Sequence, residues 1–201
     1  MHYLLKSLGF LLLLCMLTAC KPSADSNKTV ATDISGADFA QGLSLTDHNG
    51  KPTSLQDFKG KAVVLFFGYT HCPDVCPTTM LDLKHTMKLL GKRADEVQVL
   101  FVTLDPERDT QEVLAKFVPS FDPSFIGLRG SVAEINATAQ VFKIFASKVQ
   151  SEGKGAYTID IAQDYMYSIR LERSVCMWSM RRSLLILRTI FCIFFRNTYR
   201  D

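Results

Sequence analysis

Two uninterrupted apolar runs constrain this chain more than any other feature. Residues 61–69 read KAVVLFFGY and residues 97–104 read VQVLFVTL. Both are rich in β-branched and aromatic residues, and neither alternates with polar positions. A strand with one wet face shows a period of two; a continuous run is the pattern of a strand buried on both faces. Helical patterns lie between and after these runs. Met80, Leu83, Met87 and Leu90 form an apolar stripe over Thr78–Leu90, and Gly91 supplies a stop. Thr110 is a candidate N-cap for a helix over Thr110–Phe117, with Glu112 in its first turn. Phe125–Leu128 is a short strand, and Ser131 with Glu134 forms a capping box for a helix running to about Phe145. Tyr157–Ile159 begins another strand. Upstream, Phe39–Asp47, the Asn49-Gly50 turn and Pro52–Leu55 read as an N-terminal β-hairpin. Strands alternating with helices predict an α/β domain around a largely parallel sheet.

Both ends depart from this pattern. Residues 1–19 carry Lys6 and an apolar stretch from Leu8 to Leu17, the layout of a signal peptide. Leu17-Thr18-Ala19-Cys20 resembles a bacterial lipobox, which makes Cys20 a candidate lipidation site and mature N-terminus; the alternative is an uncleaved signal anchor with an incidental cysteine. Residues 20–37 are small and polar and read as a flexible tether. The body from 38 to 160 is the folded domain. The tail, 161–201, has a different composition: residues 1–160 hold 13 Lys and 3 Arg, whereas 161–201 hold no Lys and 7 Arg. Split at Asp160 the overall charge of +3 becomes −1 and +4, so the basic excess belongs to the tail, and a charge of +3 over this length does not suggest a nucleic-acid binder.

The chemistry concentrates in Gly68-Tyr69-Thr70-His71-Cys72-Pro73-Asp74-Val75-Cys76-Pro77. Two thiols four residues apart leave a central strand and open a helix, whose N-terminus favours negative charge on sulfur. Ligands of open α/β sheets collect at the carboxyl ends of strands, where this loop lies. Cys72 and Cys76 can hold one metal ion, act as a redox pair, or form a purely structural disulfide in an exported protein.

The segment FGYTHCPDVCPTTM closely resembles the signature of the SCO/SenC family of copper chaperones, and the resemblance continues through FVTLDPERDT, FIGLRG and YTID, covering about residues 38–160. It implies a thioredoxin-like fold and a periplasmic, membrane-tethered protein. Copper, as Cu(I) or Cu(II), would be held by Cys72, Cys76 and one imidazole. The implied partner is cytochrome c oxidase subunit II or another copper protein, whose binuclear copper site is loaded with copper or has its cysteines reduced. Asp105 matches an acidic position near the site and is a candidate for a supporting role; the plain reading is a turn-forming Asp-Pro. His71 neighbours Cys72, but the family imidazole comes from elsewhere. A thiol-disulfide oxidoreductase acting through the same cysteines is the enzymatic alternative, although redox thioredoxins use Cys-X2-Cys.

The family pattern after the late strand is Asp-His-Ser, and here the chain reads Asp160-Ile161-Ala162. The match stops at the expected ligand, at the same point as the Lys-to-Arg shift. One C restored after the Asp160 codon lets synonymous codons through Trp178 read DHSAGLYVFDSSGALRLYV, which recovers the histidine, a glycine turn and two strands. The sequence thus points to a single missing base, an out-of-frame tail and the loss of the last strands and helix. If so, the product is either a two-thiolate copper protein or a non-functional remnant, and Cys176 and Cys192 are incidental. Resequencing the native gene across this codon is expected to recover the missing base; an intact reading frame there rejects the frameshift.

Overall fold

The computed structural model describes residues 43–150 and 157–161, together with the backbone of 32–33, 165–170 and 174–179. Its strands are β1 (Thr32–Asp33), β2 (Ser44–Asp47), β3 (Pro52–Ser54), β4 (Ala62–Gly68), β5 (Val97–Thr103), β6 (Ile126–Arg129), β7 (Ala146–Gln150), β8 (Tyr157–Ile161), β9 (Tyr165–Arg170) and β10 (Ser174–Ser179). The helices are α1 (Val75–Leu90), α2 (Gln111–Phe121) and α3 (Val132–Val141). One sheet has the order β1-β10-β9-β4-β5-β6-β2-β3, and β7 pairs with β8 in a separate antiparallel ribbon.

The two apolar runs form the centre. β4 and β5 pair in parallel from Ala62↔Val97 to Gly68↔Thr103, and every residue of both is buried. Phe66 and Phe101 meet edge to face at 5.6 Å between centroids, and Phe67 packs on Phe142 from the end of α3. α1 seals its side of the sheet through Met80, Leu83 and Met87, while Leu114 and Val118 of α2 are fully buried. α1 starts three residues before the apolar stripe and ends on Gly91, whose φ of +56° suits glycine. Thr110 caps α2 by accepting the Val113 amide, and the Ser131–Glu134 capping box of α3 is present. α2 continues four residues past the expected end and accommodates Pro119 within its last turn.

In the N-terminal hairpin, Asp47 accepts the Asn49 and Lys51 amides and so fixes the Asn49-Gly50 turn. The expected strand start at Phe39 falls outside the described residues, as do residues 1–31, including the expected signal peptide and lipidation site. α3 ends at Val141, short of the expected end at about Phe145, and Lys143, with φ +54°, turns the chain out of the helix ahead of β7. That strand carries no buried residue and has no apolar pattern from which to read it.

The expected loss of the last strands needs correction. β9 pairs antiparallel with β4, with Leu65 opposite Tyr167, and β10 pairs with β9. The physical reason lies in β4. Its edge presents backbone N–H and C=O groups within the core, and any adjacent chain able to extend can satisfy them. A ladder needs backbone rather than a particular side-chain sequence, and the segment YMYSIR has the aromatic and β-branched content of a strand. The expected final helix lies outside the described residues. Replacing Tyr167 by proline removes a ladder donor from a strand paired on both sides. The expected cost is about 1–3 kcal/mol, read as a lower thermal midpoint; an unchanged midpoint would separate β9 from the sheet.

Candidate metal centre

The loop between β4 and α1 carries the paired cysteines, and each of its positions has a physical cause. Gly68 ends β4 because nothing larger fits. A Cβ there would lie 2.9 Å from the Cys76 Sγ, 3.1 Å from Phe101 and 3.2 Å from Phe66. Cys76 is buried in the first turn of α1, and Cys72 is half-buried just ahead of it; neither is in a disulfide. The Cys76 amide donates to the Cys72 sulfur at 3.4 Å, so a first-turn N–H of α1 faces that sulfur. Negative charge on a metal-bound thiolate would therefore sit at the positive end of the helix.

A buried carboxylate anchors the start of the loop. Asp109 is fully buried and accepts three hydrogen bonds: the Thr70 amide at 3.0 Å, the Thr70 hydroxyl at 2.5 Å and the Thr103 hydroxyl at 2.6 Å. It thereby joins the exit of β4 to the exit of β5. His71 Nδ1 lies 3.1 Å from Thr70 Oγ1 and 3.8 Å from Asp109 Oδ1.

Asp105 is likewise fully buried, but its contacts point to the β7–β8 ribbon. The Tyr157 hydroxyl donates to it at 2.7 Å, and Arg108 Nε donates to its other oxygen. Arg108 also donates to the Tyr157 carbonyl at 3.0 Å and stacks on the Tyr157 ring. Burial raises the Tyr157 phenol above its ordinary range, and the hydrogen bond to Asp105 adds to the shift. Burial also raises Tyr69, and a backbone hydrogen bond with Ile159 works in the other direction. Asp105 and Tyr69 thus relate the cysteine loop to β8, the strand that ends at Ile161.

The remaining histidines stand apart. His48 is buried and accepts the Gly127 amide at 2.9 Å, which joins the hairpin turn to β6. His85 is exposed on α1. Ile161 is half-buried against the core. Among the described residues, no group of three or more His, Cys, Asp or Glu could hold a metal ion. The two thiols suit a soft ion of low coordination number, of which Cu(I) is the biological example; they lack the nitrogen donor that Cu(II) favours.

Sequence reasoning passed over Thr70 and Asp109. The usable signal was an acidic residue six positions past a buried strand, in a loop whose backbone returns beside the cysteines.

A family model for SCO1/SenC matches residues 31–170. The chain belongs to the SCO1/SenC family. The mitochondrial SCO2 homologue of Danio rerio is 39% identical over 118 residues, covering 58% of this chain and 42% of that protein. The SCO2-like protein of Rickettsia felis is 34% identical over 142 residues, covering 70% of this chain and 67% of that protein. Among solved structures, Bradyrhizobium japonicum ScoI with copper bound is 37% identical with a TM-score of 0.66, covering 75% of this chain and 96% of that one. The chain therefore spans less than half of the zebrafish relative and nearly all of the bacterial structure. The likeness confirms the thioredoxin-like fold expected from the sequence.

Replacing Gly68 by alanine drives a methyl group into the Cys76 sulfur. The expected outcome is a destabilisation of about 1–3 kcal/mol and impaired metal binding, measured by thermal unfolding and by Cu(I) competition. Unchanged Cu(I) binding would show that the contact does not set the position of Cys76.

Proposed function

We propose that this chain is a copper-binding assembly factor, tethered to the membrane on the periplasmic side through lipidated Cys20. It delivers Cu(I) to the binuclear copper site of cytochrome c oxidase or reduces the cysteines of that site. The observation that carries this reading is the pair Cys72 and Cys76 at the N-terminus of α1, in a member of a family that includes copper-bound structures. Thiolates select Cu(I), and a helix terminus offsets their charge.

The second reading is thiol-disulfide exchange, favoured by the partial exposure of Cys72 beside a second cysteine. Copper content separates the two: a chaperone retains about one copper per chain through desalting, whereas an oxidoreductase turns over disulfide substrates without it.

We further propose that the tail beyond Asp160 is translated out of frame and that Ile161 occupies the place of the lost imidazole ligand. The composition break and the back-translation support this reading, and the strand positions of β9 and β10 agree with the two strands of the restored frame to within about two residues. A single substitution tests the ligand argument. Anaerobic Cu(II) titration of Ile161→His is expected to give at least about tenfold tighter binding than the parent chain, with a new sulfur-to-copper charge-transfer band. Equal affinity of the two proteins rejects Ile161 as the missing-ligand position.

A further inference from the structure

The exposed imidazole beside Cys72 has a defined tautomer. Thr70 has one hydroxyl proton, and Asp109 Oδ1, an acceptor at 2.5 Å, takes it. The Thr70 oxygen is then left to accept from His71 Nδ1 at 3.1 Å. His71 therefore carries its proton on Nδ1 and presents the Nε2 lone pair on the opposite side of the ring. The anchor is rigid, because Asp109 is fully buried and also held by Thr103. The ring is open, with 54% of the His71 side chain exposed. A histidine whose one nitrogen is fixed by a hydrogen-bond relay to a carboxylate is the arrangement that prepares the other nitrogen to bind a metal.

We propose that His71 Nε2 is an acquisition ligand for Cu(I), oriented by Asp109 through Thr70, that receives the ion from its donor and passes it to Cys72. The proposal rests on the Cu(I)-binding reading above. It differs from a third ligand of the final site, because His71, Cys72 and Cys76 are all described and do not form a three-membered metal cluster. Each step is a ligand exchange with copper remaining Cu(I). The Nε2 lone pair forms a Cu–N bond as one bond to the donor, a soft Cu(I) chelate, breaks. The Cys72 sulfur then displaces Nε2, and its proton passes to water. The Cys76 sulfur displaces the remaining bond to the chelate and loses its proton to water in turn, which leaves His71 Nε2 uncoordinated as before.

The test is stopped-flow loading of the reduced full chain from a chromogenic bidentate Cu(I) chelate, with the equilibrium position measured in the same samples. His71→Ala is expected to load about tenfold more slowly while reaching the parent equilibrium, and Thr70→Val to load at least as slowly. Thr70→Ser keeps the hydroxyl and is expected to load at the parent rate. Nitrogen-15 NMR of the parent chain is expected to show His71 protonated on Nδ1, with that preference lost in Thr70→Val. An unchanged loading rate in His71→Ala overturns the proposal. So does a loss of equilibrium affinity in proportion to the rate, which would make His71 a ligand of the final site. No uptake by the parent chain, with both thiols titrating as free, removes the copper reading and the acquisition role with it. Uptake by the parent with no effect of His71→Ala leaves copper binding standing and rejects only the role of His71.

Discussion

A buried carboxylate held by hydroxyl and amide donors keeps the site together. Asp109 has no solvent contact, so its charge depends on the hydrogen bonds it accepts, and the described ones come from Thr70 and Thr103. Leaving such a group unsatisfied costs several kcal/mol, on the order of the whole stability margin of a small domain. The exits of β4 and β5 are therefore locked at one distance, and the two residues before Cys72 are fixed. The loop from Pro106 to Asp109 is braced in turn by Arg129, which donates to the carbonyls of both. The cysteine geometry is thus set from behind, by residues that touch no metal.

A second carboxylate, four residues earlier, does a different job. Asp105 gathers Tyr157 and Arg108, and through them the ribbon that ends at Ile161. Asp105 and Asp109 lie on one short loop and face separate parts of the site, one the strand β8 and the other the thiol side. Misplacing this loop would disturb both sides together, which ties their relative positions to a single turn of backbone.

Much of the architecture is legible because burial leaves strong patterns. The continuous apolar runs identified β4 and β5, the caps Thr110 and Ser131 marked two helix starts, and Gly91 marked a helix end. The cysteine pair and its family resemblance were legible in one segment. What remained hidden had no periodic signature. β7 is exposed along its whole length, so no pattern separates it from a loop. The role of Asp109 depends on a contact 39 residues away in sequence, and that of Tyr157 on one 52 residues away. β9 was misread for the opposite reason: its side chains depart from the family, while sheet pairing asks only for extended backbone next to an open edge.

The unequal burial of the two cysteines gives the site an order of events. Cys76 lies beneath Gly68 with almost no solvent contact, and Cys72 is half-open at the rim. Of the two thiols, Cys72 must be met before Cys76 by any approaching sulfur, electrophile or metal complex, and Cys76 can act only on what Cys72 has already captured. The pair is therefore sequential rather than symmetric, with an outer thiol that makes the first bond and an inner thiol that decides whether it is kept.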